Sequence, residues 1–324
     1  MKVLLTGCAG FIGSTVAEQL AGAGHEVVGV DNLDPAYPVV LKGWRLENLK
    51  SVRGFSFRPG SILDPAFLAS LWEEAGPFEV VVNLAARAGV RQSLRNPYGY
   101  YEVNLLGTLN LLELCRRWAV PTFILASTSS LYGEGPRPFR EDQPTDRPLS
   151  PYAASKKAAE VLAYTYHRLF GLDVVILRYF TVYGPAGRPD MSIFRFVRRI
   201  AEGLPIVVYG DGTQERDFTY VDDVARGTVA ALGVRGFEVI NLGSDRPVEL
   251  NRVIRTLEGI LGRPAVIDRR PRHPADVGAT WADISKARRL LGWQPEVDLE
   301  TGLGLTVSWY LANRHWAKDV EVED

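Results

Sequence analysis

The sequence predicts an α/β protein: a doubly wound parallel sheet over the first half of the chain, with a smaller α/β lobe after it. Short apolar runs alternate with longer segments of helical periodicity up to residue 178, the pattern of strands joined by crossover helices. Gly7, Gly10 and Gly13 stand between the first apolar run and the first helical one. Beyond residue 180 Pro and Gly become frequent and the elements shorten, so a second unit begins there.

Val3–Leu5 is the first strand and Ser14–Ala23 its helix. Glu26–Val30 is the second strand and runs into Asp31. Val80–Leu84 reads as a buried strand, Tyr101–Arg117 as a long amphipathic helix and Thr122–Ala126 as the next strand. Pro151–Phe170 is a helix with Pro in its first turn, where a missing N–H costs least, and Gly171 ends it. Val174–Arg178 follows as a strand, and Val239–Leu242 is one more strand of the sheet. The first unit is therefore expected over 1–178 with a return at about 217–244, and 179–324 is mainly the smaller lobe.

Composition narrows the function. Hydrophobic residues make up 46% and charged residues 23% of the chain, as in ordinary globular proteins. A net charge of −1 gives no footprint for a nucleic-acid partner. The two cysteines, Cys8 and Cys115, form no cluster with histidine, so neither a disulfide framework nor a metal site is expected. No apolar run is long enough to span a bilayer, and Gly7, Gly10 and Gly13 interrupt the apolar start too early for a secretory signal. A reducing cytoplasmic setting is expected.

Two motifs carry chemistry. Gly7-x-x-Gly10-x-x-Gly13 follows a strand and opens a helix; such glycines let the backbone approach a pyrophosphate, and the helix N-terminus offers N–H groups and partial positive charge. Asp31, ending the second strand, suits the ribose hydroxyls of an adenosine and repels a 2′-phosphate, which favours NAD over NADP. Tyr152 and Lys156 are four residues apart on one helix face. A neighbouring ammonium, with the charge of an oxidised nicotinamide, stabilises a phenolate and makes a general base for a sugar hydroxyl.

Together with Asp31-Asn32, Asn83-Leu84-Ala85-Ala86 and Arg178-Tyr179-Phe180, these motifs resemble the extended short-chain dehydrogenase/reductase family of nucleotide-sugar enzymes. The resemblance covers nearly the whole chain. It implies a Rossmann-like sheet, a nucleotide-sugar-binding C-terminal lobe, NAD, a UDP-sugar substrate and a homodimer packed through Tyr101–Trp118 and Pro151–Phe170. It places Phe11, Ile12, Asn32, Leu84, Ala85, Ala86, Asn104 and Tyr179 at the cofactor beside the three glycines, Asp31, Tyr152 and Lys156. Two positions depart from the family: Asn83 stands where His is frequent, and Ser61-Ile62 where Asp-Ile is frequent.

Leu41-Lys42, Arg45-Leu46, Ala88-Gly89-Val90-Arg91, the run from Arg178 to Met191, Arg216 to Tyr220 and Ala282 to Lys286 are most similar to members that invert C4 of UDP-glucuronate. Thr128 falls on the family's hydroxyl partner of the catalytic Tyr, and Ser129 and Ser130 follow it. Related dehydratases carry Asp-Glu at those two positions, and decarboxylases a Glu at the second. The serines therefore favour C4 epimerisation through a 4-keto sugar over elimination or decarboxylation. The resemblance gives Ser129, Ser130, Thr181 and Arg188 to the sugar carboxylate, with a solvated loop or a diphosphate contact as the other readings of Arg188. It gives Arg216, and on a looser match Arg272, to the diphosphate, and Arg91 to phosphates or sugar. A UDP-glucose or UDP-N-acetylhexosamine 4-epimerase shares the whole catalytic set, and an NAD-binding sensor shares the fold without needing Thr128, Tyr152 and Lys156 together.

Overall fold

The computed structural model describes residues 1–271 and 277–321. The elements run β1 Lys2–Thr6, α1 Phe11–Gly22, β2 Glu26–Asp31, α2 Val39–Lys50, β3 Phe55–Pro59, α3 Pro65–Ala75, β4 Val80–Asn83, α4 Val90–Arg95, α5 Pro97–Tyr101, a π-helical turn Glu102–Leu106, α6 Gly107–Arg117 and β5 Thr122–Thr128. They continue with α7 Pro151–Phe170, β6 Asp173–Tyr179, β7 Thr181–Tyr183, α8 Ser192–Glu202, β8 Ile206–Tyr209, β9 Glu215–Tyr220, α9 Val221–Ala230, β10 Phe237–Leu242, β11 Pro247–Glu249, α10 Leu250–Leu261, β12 Ile267–Arg270, α11 Ser285–Leu291, α12 Leu299–Ala312 and α13 Arg314–Ala317.

Among these residues, seven parallel strands form the main sheet in the order β10-β6-β5-β4-β1-β2-β3. Its central strands are buried on both sides, which is why they read as Val- and Leu-rich runs rather than alternating ones. One face carries a core of Val16, Leu20 and Val224 from α1 and α9; the other carries Leu68, Leu111 and Ala159 from α3, α6 and α7. The order of strands reverses between β1 and β4, and the crevice at their C-terminal ends is where such sheets bind ligands.

The smaller lobe holds a three-stranded sheet, β11-β9-β7, and the pair β12-β8. Phe196, Ile254 and Val307 from α8, α10 and α12 fill its core. β9, through Tyr220, pairs with β7 and β11, and α9 follows it directly.

α7 is closed at both ends by its own sequence. Ser150 Oγ accepts the Ala153 N–H at 3.2 Å ahead of Pro151, and Gly171 adopts φ 70° while donating to His167 O. The helix expected over Tyr101–Arg117 is interrupted. Its first turn widens to the π form, which turns Asn104 inward, and α6 starts at Gly107, where a Cβ would lie 2.4 Å from Ile62 Cδ1. α1 begins at Phe11, earlier than Ser14, because the turn of Gly10 already leads into helix.

Candidate active site

The turn after β1 is shaped for close backbone approach. Gly7 has φ 73°, and a Cβ there would sit 2.7 Å from Ala85 N; a Cβ on Gly13 would sit 2.0 Å from Gly7 O. Gly10 precedes α1 and no side chain caps the helix's N–H groups, so its first turn, Phe11 to Gly13, offers donors to an anion. Asp31 completes this end. Its Oδ2 accepts the Ala9 N–H at 3.2 Å, and its Oδ1 accepts from Leu33 N at 2.8 Å and Lys42 Nζ at 3.4 Å. The cradle, the uncapped helix and the acid at the end of β2 fit a dinucleotide.

Asn32 is exposed and holds the Asp34 N–H; Leu84, Ala85 and Ala86 form the neighbouring rim after β4. Asn83 closes the floor, accepting from Thr6 Oγ1 at 2.8 Å and donating to Thr108 Oγ1 at 3.1 Å. Asn104 acts on protein groups: its amide binds Arg87 N and O and Ser155 Oγ, each at 2.9 Å. It thereby fixes the rim to α7 beside Lys156. Tyr179 stands in the core at the end of β6 with its hydroxyl 2.9 Å from Thr228 Oγ1.

Tyr152 and Lys156 lie one turn apart on α7, with Tyr152 in edge contact with Tyr100 at 6.1 Å. Burial raises the Tyr152 phenol above its ordinary range, while the neighbouring Thr128 hydroxyl and the charge of Arg188 pull it back. Burial lowers Lys156 to about 8, opposed by the Glu160 carboxylate one turn further on. Glu160 was not foreseen, although Tyr152, Lys156 and Glu160 continue one spacing of four. It accepts from Ser127 Oγ at 2.6 Å and takes the Arg178 guanidinium through Nε at 3.0 Å and Nη2 at 2.8 Å. Arg178 Nη1 donates to Tyr132 Oη at 2.9 Å, and Tyr132 Oη donates to Asn241 Oδ1 at 2.7 Å.

Thr128 Oγ1 donates to Ser130 Oγ and accepts the Ser130 N–H, both at 3.1 Å. A cleft of about 190 Å³ opens here, and Ser129, Ser130, Thr181 and Arg216 share its walls with Ser150 and Phe139. Arg188 reaches an adjoining notch that Thr181 also lines. Its guanidinium grips Asp190 through Nε at 3.0 Å and Nη2 at 2.5 Å and touches Ala88 O at 3.3 Å. Arg216 donates to Glu215 O at 2.8 Å, and Arg91 lies 4.0 Å above the Tyr209 ring. Arg272 lies outside the described residues. The arrangement provides a phenol with a hydroxyl relay, an ammonium, and a cleft combining hydroxyls with a cation.

The family described as NAD dependent epimerase/dehydratase matches residues 3–243. A UDP-glucuronate 4-epimerase of Thermodesulfobacterium geofontis is 53% identical over 320 residues, 98% of this chain and 99% of the relative. The crystal structure of UDP-glucuronic acid 4-epimerase from Bacillus cereus, in complex with UDP-glucuronic acid and NAD, superposes with a TM-score of 0.91 at 40% identity, covering 97% of this chain and 100% of the other. UDP-glucose 4-epimerase from Thermotoga maritima, with UDP-glucose, gives 0.88 at 35% identity, covering 97% and 100%.

Proposed function

This chain belongs to the NAD dependent epimerase/dehydratase family, and we propose that it converts UDP-glucuronate to UDP-galacturonate by inversion at C4, with NAD as its cofactor. One observation carries the choice of reaction. Among the described residues lining the cleft beside Thr128 there are hydroxyls and Arg216 but no carboxylate. Water loss needs an acid and a base at the carbon next to the ketone; Ser129 and Ser130 supply neither a carboxylic acid nor a carboxylate. Epimerisation needs only the Tyr152 base and a route for the proton.

When bound, NAD takes the C4 hydrogen as hydride and gives it back. Tyr152, as phenolate, removes the 4-hydroxyl proton directly or through the Thr128 hydroxyl. Lys156 keeps a positive charge one turn away, which favours that phenolate. The 4-keto sugar turns about its link to the nucleotide and presents its other face. Tyr152 then returns the proton, and C4 is inverted. Arg216 anchors the diphosphate.

The 4-keto form of a glucuronate is a β-keto acid and loses CO₂ when the C5–C6 bond aligns with the ketone π system. Arg188, Thr181, Ser129 and Ser130 hold the carboxylate out of that alignment, and the planar fork of an arginine suits a carboxylate. The working form is a cytoplasmic homodimer. Exposed Tyr98, Leu106, Val161, Tyr164, Leu169 and Phe170 on α5, the π turn and α7 support this packing. In equilibrium sedimentation a monomer throughout the micromolar range refutes the dimer.

A panel of UDP-sugars followed by NMR tests the substrate. UDP-glucuronate should give an equilibrium mixture with UDP-galacturonate. Turnover of UDP-glucose or UDP-N-acetylglucosamine without turnover of UDP-glucuronate overturns the assignment.

A further inference from the structure

Arg45 sits mid-way along α2 and is 2% exposed. A guanidinium buried to this extent needs oxygen partners for its fixed fork of N–H groups. Those partners lie in separate segments of the chain. Nη1 donates to Ala9 O at 3.1 Å and to Tyr37 Oη at 2.7 Å; Nε and Nη2 donate to Ala186 O at 3.2 and 2.6 Å. Nη2 also approaches Gly187 O at 3.5 Å, and the Tyr37 and Phe11 rings flank the group at 5.5 and 6.0 Å.

Ala9 belongs to the glycine turn, and its N–H is held from the other side by Asp31. Ala186 has φ 50°, a left-handed conformation that a residue with a Cβ avoids unless its surroundings fix it. Two residues beyond it stands Arg188. One guanidinium thus ties the turn that receives the cofactor diphosphate to the loop that carries the arginine facing the sugar.

α2 does not need these bonds to dock. Leu41, Leu46 and Leu49 are buried beneath it, and Trp44 packs on Trp309 and Trp316 of the lobe at 5.5 and 6.4 Å. The polar contacts of Arg45 go to loops, so their loss falls on loop geometry.

We propose that Arg45 is a positioning residue that sets Arg188 from the cofactor turn, and so links retention of the dinucleotide to restraint of the substrate carboxylate. This rests on the reading of the site as a UDP-hexuronate 4-epimerase. With the link loosened, Arg188 no longer holds the carboxylate of the 4-keto intermediate in place. The C5–C6 bond then breaks, CO₂ leaves, its electron pair passes into the C4–C5 enolate, and C5 takes a proton from water to leave a UDP-linked 4-ketopentose.

Arg45→Lys keeps the charge but cannot span the three segments with one nitrogen, and Arg45→Met keeps only the stem. Each variant is compared with the parent, and with Arg188→His as a leaking control, in three measurements: melting temperature, NAD retained per folded chain after gel filtration, and ¹³CO₂ released per epimerisation from substrate labelled at C6. Both variants should stay folded, retain less NAD, and raise the CO₂ ratio about ten-fold or more, the size expected from losing a charge-assisted hydrogen bond. A lower melting temperature or slower epimerisation with unchanged NAD retention and CO₂ ratio overturns the proposal and leaves Arg45 a structural residue. If the parent fails on UDP-glucuronate, the substrate reading falls, and NAD retention alone decides: unchanged retention overturns the link.

Discussion

Along α7, Tyr152, Lys156 and Glu160 share one face, and the groups behind them are closed to exchange. Glu160 and Arg178 have side chains 5% and 4% exposed, and Ser127, Tyr132 and Asn241 complete their bonds. The arginines assigned to the substrate are held differently. Arg188 is 22% exposed and grips Asp190 two residues away, Arg216 binds the backbone of its own strand, and Arg91 rests on Tyr209. A buried pair cannot trade partners without leaving a charge uncompensated, whereas an arginine with access to solvent can exchange one oxygen for another. On the proposed reading, the proton-transfer groups are set before substrate arrives, and the arginines assigned to the substrate change partners to receive it.

The largest expected effect breaks the preset side at its reacting atom. Tyr152→Phe keeps the ring beside Tyr100 and removes the base, so kcat should fall by about 10²–10⁴ while bound NAD, measured after denaturation, stays at the parent level. Turnover like the parent's would place the base elsewhere.

Next is Glu160→Gln, which leaves the Arg178 charge buried without its anion. Stability should fall by about 3–5 kcal/mol, read from denaturant unfolding. Removing the carboxylate also disfavours the Lys156 ammonium. The charge lost as pH rises through about 8 should then be lost at lower pH, and the alkaline limb of kcat/KM should move down. A limb that stays in place would separate Glu160 from the catalytic charge.

On the exchanging side the effect is smaller and changes the product. Arg188→His or Thr181→Ala should release CO₂ and UDP-pentose products that the parent scarcely makes. Loss of one charged contact is worth about 1.5–3 kcal/mol, and mass spectrometry resolves the products. Slower turnover without leakage would preserve the substrate and remove the restraint.

Smallest is Asp31→Ala. It frees Lys42 to meet a 2′-phosphate, so relative affinity should shift toward NADP by roughly 1 kcal/mol, about five-fold, in a fluorescence titration. Equal parent binding of the two cofactors would deny Asp31 that role.

The same contrast explains what the sequence made legible. Gly7 to Gly13, Asp31 and the Tyr152–Lys156 pair are local patterns whose geometry follows from one strand, one turn or one helix. The main sheet was legible for the same reason, since its strands are short runs of Val and Leu between helices. β3 and α2 are not legible because the Phe-Ser-Phe-Arg alternation of β3 lasts only from Phe55 to Arg58 before Pro59, and α2 mixes Lys42 and Arg45 with its buried leucines. Glu160 was on the right face, but its pairing with Arg178 spans two elements. The bonds of Arg45 to Ala9 and Ala186 join residues 36 and 141 positions away, and no periodicity records such a contact. The π turn at Glu102–Leu106 keeps a helical apolar pattern, so the sequence shows only plain helix there. Only the packing of Asn104 on Arg87 and Ser155 distinguishes it.

The central claim is that hydrogen leaves C4 and returns to the same carbon on the opposite face. UDP-glucuronate deuterated at C4, incubated with the enzyme in ordinary water and followed by NMR, tests it most directly. The account predicts UDP-galacturonate with the deuterium retained at C4 and no net reduced cofactor at equilibrium. Deuterium lost to solvent during inversion, or reduced cofactor accumulating in proportion to product, would contradict it.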